Sequence, residues 1–340
     1  MISRKSRIDA FVKLGTYIYS EENAPEIEKW IAASNSKNNW FTVANVRTSL
    51  DAFATNYLDR EVLEAWMAEY SEPEHHVKVG VVMAGNIPGV GFHDALSVLI
   101  SGHTLLAKPA SDDQALITYM LEKLVEIEPV FADQIRFVER LNEADAYIAT
   151  GSDNTARYFH YYFSKKPHII RKNRTSVAVL DGSESSEELA ALGKDIFQYF
   201  GLGCRNVSKI YVPAGYDFTK LYESLEVFRP ICANHHKYFN NYEYNRSILL
   251  VNRVPHFDNG FLIFNESTAL VSPISVVHFE FYEHADSVKA ILLESSEKIQ
   301  CVVGSEAVAI HGAVPFGGTQ SPGLTDYADA VDTMAFLSAL

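Results

Sequence analysis

The chain has 340 residues, of which 47% are hydrophobic and 21% charged, and its formal net charge is -14 at pH 7. That length and apolar content exclude a disordered chain and suit one large or two medium α/β domains. The acidic balance argues against nucleic acid and anionic membranes as partners, since neither polyanion gains from meeting such a surface.

The N-terminal stretch MISRKSRIDAFVKLGTYIY is basic but lacks the unbroken apolar run of a signal peptide, and it reads as an amphipathic helix with Ile8, Phe11, Val12 and Tyr19 on one face. Helical patterning continues to residue 76, where the polar SEPEHH closes it. HVKVGVVMAG then reads as a buried strand ending in a Gly/Pro turn, followed by a helix (FHDALSVLISG), a strand (TLLAKP), a helix (DDQALITYMLEKLVEIE), two short strands (IRFVE, AYIATG) and a helix opening at SDNTARYF. A second α/β segment starts near TSVAVLDG, runs through the helix SSEELAALGKDIFQYF, and returns as SKIYVP, RSILLVN, PISVVHFEF and QCVVGS. Between these, ANHHKYFNNYEYN reads as a polar surface segment and GAVPFGGTQSPGL as a glycine-rich loop. Alternating strands and helices with short connections predict doubly wound parallel sheets, whose ligands sit beyond the carboxyl ends of the strands. No run of eighteen apolar residues occurs, so no membrane span is expected. The three cysteines, Cys204, Cys232 and Cys301, have neither disulfide-framework nor zinc spacing, which predicts a reduced, cytoplasmic protein without a metal.

Four turns fall where ligands belong: GNIPGVG (85–91), AKPAS (107–111), ATGSDNTA (149–156) and the Gly-x-Gly-Cys turn ending at Cys204. Asn86 offers an amide donor to a developing oxyanion, or caps its own turn. Lys108 brings a charge out at a strand end, where it meets a phosphate or only solvent. Ser152 opens a helix whose free N–H groups favour phosphate, or is a plain cap. Cys204 is either a thiol offered by the main chain or a small packed core residue.

The order of these motifs, N-x-P, a strand ending in KP, TGS opening a helix, a cysteine turn, then PFGG with S-x-G, resembles the aldehyde dehydrogenase superfamily. The runs AGNIPGVGFHDALSVLISGH, IATGSDNTARYF, PHIIRKNRTSVAVL and YFGLGCRNVSKIYVP resemble LuxC-like acyl-CoA reductases, and the likeness extends from about residue 39 to PFGGTQSPG. It implies two Rossmann-like α/β domains with the active site between them: residues 1–171, completed by 317–340, for a nicotinamide cofactor, and residues 172–316 carrying the nucleophile. It makes Cys204 that nucleophile and Asn86 the oxyanion donor. Lys108, Ser111, Gly151, Ser152, Gly317 and Gly318 become cofactor-binding residues.

The implied activity is reduction of an acyl thioester, acyl-CoA or a fatty acyl-CoA, to the aldehyde through a thioacyl cysteine. Two departures bear on it. Aldehyde-oxidising relatives place a water-activating glutamate in the stretch matching PHIIRKNRTS (167–176), which here has no carboxylate, as a protected thioester requires. NAD-preferring relatives carry a glutamate where this chain has Ser111, which predicts NADPH over NADH, against which Asp112 and Asp113 follow immediately and disfavour a phosphate or only start a helix. Arg205 and Lys209 are expected to favour the thiolate, and a surface role for them stands equally open. An acyl phosphate reductase using the Arg171-Lys172-Asn173-Arg174 run and a non-catalytic acyl-carrying scaffold stay as alternatives. The usual oligomerisation hairpin is not evident, and a homodimer is left open.

Overall fold

The computed structural model describes residues 2–304, 310 and 312–340. The chain divides into two compact units, Met1–Asn173 with Pro322–Leu340, and Arg174–Ser321.

The first unit opens with helices α1 (Arg4–Tyr19), α2 (Ala24–Lys37), α3 (Val43–Asn56) and α4 (Arg60–Ala68). Ser3 caps α1 by accepting the Ser6 N–H, and Phe11, Leu14, Gly15 and Ile18 line its inner face at helical spacing. Tyr19, expected on that face, is 70% exposed: it lies one residue past Ile18 and so turns out to solvent.

The unit continues through β1 (Lys78–Val82), α5 (Phe92–Ile100), β2 (Thr104–Lys108), α6 (Gln114–Ile127), β3 (Ile135–Phe137), β4 (Ala146–Thr150), α7 (Asp153–Phe163) and β5 (His168–Arg171). These strands form a parallel sheet in the order β3-β2-β1-β4-β5. The central strands are apolar on both faces, as helices on either side demand, with Val79, Val81, Leu105 and Ala107 buried on one face and Leu106 and Tyr147 on the other. Strand order reverses at β1/β4, the position where such sheets open a crevice for a ligand.

In the second unit come β6 (Thr175–Val179), α8 (Ser186–Phe197), β7 (Val207–Pro213), α9 (Thr219–Leu225), α10 (Arg229–Ala233), α11 (His236–Val251), β8 (His256–Asp258), β9 (Ile263–Glu266), β10 (Val276–Tyr282), α12 (Ala285–Glu294) and β11 (Ile299–Gly304). The sheet order is β11-β6-β7-β10-β9-β8, parallel except for the antiparallel edge strand β8. A capping box between Ser185 and Glu188 starts α8.

One expected strand is absent. RSILLVN lies mostly within α11, as its last turns, and the stretch 236–245, read as a surface segment, is the first part of the same helix. Tyr238, Tyr242 and Asn245 face inward at helical spacing, while Leu250 and Val251 are exposed. The apolar run therefore lies along a helix face, without the two-sided burial of a central strand.

Helix α13 (Thr333–Ser338) returns to the first unit, where Met334 and Leu337 are fully buried and His103 Nε2 stands 2.9 Å from the Leu337 carbonyl. The unit boundaries fall at 173/174 and 321/322, whereas the sequence placed them at 171/172 and 316/317. Contacts within each unit account for the difference. The Lys172 N–H donates to Asp329 in the first unit, and in the second the N–H groups of Gly317 and Thr319 donate to Asp195.

Candidate active site

The carboxyl edge of the first sheet gathers the residues expected to hold a cofactor. The loop after β1 is pinned twice: Ser49 on α3 donates to the Pro88 carbonyl at 2.7 Å, and the Gly89 N–H donates to the Asp113 carboxylate at 2.9 and 3.1 Å. Gly89 has φ of 69°, and a Cβ there would stand 2.5 Å from the Phe53 ring, so both backbone and space require glycine. On this fixed loop Asn86 is exposed.

Lys108, the last residue of β2, and Ser111 in the following turn are exposed. Of the two acidic residues beyond them, Asp112 is exposed and receives the Ser111 hydroxyl at 3.3 Å. Asp113 is buried and faces Gly89, leaving the start of α6 without a side-chain cap. Burial pushes its carboxyl well above the usual range, with the Gly89 N–H opposing.

After β4, Gly151 leads into the Ser152 cap of α7, where the hydroxyl accepts the Thr155 N–H at 3.3 Å. A Cβ on Gly151 would meet Phe159 at 2.9 Å and Thr155 at 3.0 Å, so the helix start is close-packed there, and the first N–H groups of a helix have no partner within it. Asn86, Lys108, Gly151 and Ser152 thus follow three neighbouring strands at one edge, β2, β1 and β4.

In the second unit Cys204 is half-buried on the turn that leads into β7, and none of the three cysteines is in a disulfide. Asn206 builds that turn. Its backbone N–H closes on the Gly203 carbonyl at 3.0 Å, and its side-chain oxygen accepts the Gly203 N–H at 2.8 Å. Its amide nitrogen donates to the carbonyls of Asp195 at 3.0 Å and Gln198 at 2.9 Å, tying the turn to the end of α8. From the other side the Ser176 hydroxyl donates to the Cys204 carbonyl at 3.0 Å and accepts the Cys301 N–H at 3.1 Å.

Just before the turn, Tyr199 and Phe200 adopt left-handed backbone at φ of 53° and 58°, followed by Gly201 at 77°. Such conformations cost about 1–2 kcal/mol per non-glycine residue. They are held by burial of both rings and by the stacking of Phe200 on His235 at 4.0 Å. Sequence reading passed over Asn206 and Ser176. An asparagine inside a predicted turn was the one available sign, because its amide commonly bonds local backbone.

Both cations expected near the thiol have partners of their own. The Arg205 guanidinium stands 3.3 Å from the Cys301 sulfur. Lys209 is fully buried, 2.6 Å from Glu280 and 3.0 Å from the Ser267 carbonyl, over the Tyr211 ring. A buried ammonium is held by its ion pair, so Lys209 serves its own sheet. In the Arg171–Arg174 run, Arg171 is buried against Asp94 at 2.6 Å and bonds Thr333, and Arg174 donates to the Ile299 carbonyl at 3.2 Å. Those two guanidiniums are engaged in structure, which removes most of the cationic cluster on which the acyl phosphate alternative rested.

Gly317 has φ of 80° and packs on Ala191, while Gly318 lies against Val314 and Pro315. Asp195 accepts the Gly317 N–H at 2.7 Å and the Thr319 N–H at 3.0 Å. The glycine pair therefore has a packing role within the second unit. Cys232 is fully buried, which pushes its thiol up to about 12. Among the described residues no group of His, Cys, Asp or Glu could hold a metal, and no helix is long and apolar enough to cross a membrane.

A Rossmann-ordered sheet in the first unit and a second parallel sheet entered through a cysteine turn define the aldehyde dehydrogenase fold. An oxidoreductase from Marinobacter aquaeolei matches at a TM-score of 0.70 with 11% identity, covering 95% of this chain and 79% of that one. An NAD-dependent aldehyde dehydrogenase from Sinorhizobium meliloti matches at 0.68 with 11% identity, covering 89% and 70%. The indole-3-acetaldehyde dehydrogenase AldA of P. syringae, in complex with NAD+ and IAA, matches at 0.68 with 11% identity, covering 95% and 77%. Within that fold the chain belongs to the acyl-CoA reductase (LuxC) family, whose model matches residues 23–226, more than half of its length. It is an oxidoreductase acting on acyl or aldehyde groups. No curated protein matches the sequence.

Proposed function

We propose that the protein reduces an acyl-CoA thioester to the aldehyde, with NADPH in preference to NADH, through an acyl group carried on Cys204. The observation that carries this reading is the placement of the thiol. Cys204 is half-buried on a turn braced by Asn206 and Ser176, inside the span matched by the family model, whereas Cys232 is enclosed in the core. A braced thiol offered by the main chain suits a nucleophile.

The Cys204 thiolate attacks the thioester carbonyl carbon and pushes an electron pair onto its oxygen. The Cys204 N–H and the Asn86 amide are the proposed donors to that oxyanion, and losing one such donor costs about 10²–10³ in rate. Collapse breaks the bond to the CoA sulfur, which leaves and takes up a proton. The acyl group then stays protected, because the stretch 167–176 offers no carboxylate to activate water.

A bound reduced nicotinamide would supply a hydride to the acyl carbon, after which the bond from that carbon to the Cys204 sulfur breaks, releasing the aldehyde and returning the thiolate. The carboxyl edge of the first sheet suits the cofactor's nucleotide, with the exposed Lys108 and Ser111 and the helix start capped by Ser152. Of the two acids after Ser111, Asp113 turns its carboxyl group inward to Gly89, which favours NADPH, whereas Asp112 stays exposed against the Ser111 hydroxyl and opposes a 2′-phosphate. Gly317 and Gly318 stay in the cofactor site on the strength of the resemblance alone.

Intact-mass measurement after incubation with acyl-CoA and no nicotinamide tests the reading. The acyl adduct should appear on the wild type and on Cys301→Ala, and be absent from Cys204→Ala. An adduct on Cys204→Ala, or free fatty acid released without any adduct, overturns it.

A further inference from the structure

Helix α7 turns an aromatic face to solvent. Tyr158, Tyr161 and Tyr162 are 65%, 77% and 67% exposed, and the last two rings meet edge to face at 5.0 Å. The opposite side of the helix supplies its packing: Ala156 is buried, and Phe163 stacks on Tyr147 at 4.1 Å. The helix is therefore anchored without these tyrosines. Arg157, which donates to the Asn154 side chain, lies one turn before Tyr161, and Lys165 follows the Ser164 cap just past the end of the helix.

The surrounding charge is as distinctive. Residues 154–180 contain no Asp or Glu in a chain whose net charge is -14, and they carry six Lys and Arg. Arg171 is buried in its ion pair, whereas Arg157, Lys165, Lys166 and Lys172 are exposed.

We propose that this face of α7 binds the nucleotide end of the acyl-CoA substrate, its adenosine 3′,5′-bisphosphate, with adenine on the tyrosine rings and phosphates at Arg157 and Lys165. The proposal rests on the reading that acyl-CoA is the substrate. A polyanionic substrate is repelled by a protein of this charge unless a local basic patch receives it. Exposed aromatic rings beside Lys and Arg are the chemistry that recognises a nucleotide: stacking is tolerant of geometry, and the phosphates take charge-assisted bonds. An acidic protein or an anionic membrane would meet the same charges, but the size of the patch favours the nucleotide. Eleven helical residues span about 16 Å, and a stable protein interface needs about 800 Å² on each partner. The pantetheine arm separates this end of CoA from the thioester, so the nucleotide site need not adjoin the nucleophile.

The test compares acyl-CoA with the acyl-pantetheine thioester, which lacks the nucleotide, on Tyr161→Ala and Lys165→Ala, with Tyr161→Phe as the conservative variant. Both positions are on the surface, and thermal melts check that folding is intact. KM for acyl-CoA should rise about 5–100-fold in the two alanine variants, the range expected for loss of one stacked base. Tyr161→Phe should stay near wild type, and KM for acyl-pantetheine and for NADPH should not move. Adenosine 3′,5′-bisphosphate should compete with acyl-CoA on the wild type and lose potency in parallel.

An equal rise for both thioesters, an unchanged KM for acyl-CoA, or a rise for NADPH instead overturns the assignment. So does the absence of competition by the bisphosphate, whether or not the protein then sediments with phosphatidylglycerol vesicles. If the wild type turns over neither thioester, the proposed reaction fails by itself, and calorimetric binding of adenosine 3′,5′-bisphosphate, lost in Lys165→Ala, still reads the patch.

Discussion

Replacing Asn206 by alanine should disable the enzyme without touching any group that reacts. The side chain is buried and makes three good bonds: it accepts the Gly203 N–H at 2.8 Å, and it donates to the carbonyls of Asp195 at 3.0 Å and Gln198 at 2.9 Å. At about 0.5–1.5 kcal/mol net per bond, their loss totals about 2–4 kcal/mol. In urea, with a slope of about 3 kcal/mol/M for a domain of this size, that moves the midpoint down by about 1 M. The same loss frees the turn that carries Cys204. A displacement of the reacting atom by about 1 Å costs about 10² in rate, so kcat should fall about 10–100-fold. KM for the nicotinamide cofactor, whose proposed contacts at Lys108, Ser111, Gly151 and Ser152 lie in the first unit, should hold. Asn206→Asp should unfold more readily than Asn206→Ala, because a carboxylate would face two carbonyls with no proton to offer. Urea melts, iodoacetamide alkylation of Cys204 followed by mass, and steady-state kinetics read all three effects. If Asn206→Ala keeps the wild-type midpoint and alkylates at the wild-type rate, the amide does not hold the turn and the reasoning fails.

Ser111→Glu should move the ratio of kcat/KM for NADPH and NADH toward NADH by about tenfold, or about 1.4 kcal/mol. Indifference of both cofactors to the change would show that this turn does not face the adenosine ribose. Asp113→Asn tests the buried carboxyl after β2. Burial raises its pKa, so between the ordinary carboxylate value and the raised one the folded protein keeps a proton there that the unfolded chain releases. The stability this proton confers is present in full below the ordinary carboxylate value and is lost as pH rises through the raised one. The replacement amide is neutral at every pH and keeps an oxygen for the Gly89 N–H, so Asp113→Asn should match the wild type in thermal melts at about pH 4 and exceed it at about pH 8. A variant less stable than wild type at the higher pH would show that the Gly89 N–H keeps the carboxylate ionised.

The parts of the fold that were legible in sequence are those with periodic signals. The strands β1, β2 and β4 are short apolar runs stopped by Gly or Pro, and their ends carry Asn86, Lys108 and Ser152, so the ligand edge of the first sheet could be read directly. RSILLVN failed because an apolar run of that length fits a helix face as well as a strand, and the helix it belongs to starts in a stretch rich in Asn, His and Tyr that carries no apolar stripe. The supports of the thiol were invisible for a different reason. Ser176 joins Cys204 to Cys301 across 28 and 125 residues of sequence, and Asp195 reaches 122 residues to Gly317. A single side chain bonding to remote main chain leaves no pattern in its own neighbourhood. Arg205 likewise meets the Cys301 sulfur, 96 residues away, a contact that nothing beside it in sequence announces.

The return of residues 322–340 to the first unit means that the second unit is an insertion within the first. During synthesis the 174–321 segment has all of its strands before α13 exists, so it can close first although its sequence starts later. The first unit meanwhile waits with an unfilled site on α5, where Met334 and Leu337 belong, and with His103 lacking the Leu337 carbonyl. Completion of the first unit therefore waits on synthesis of the whole second unit, which departs from the usual rule that N-terminal domains finish first.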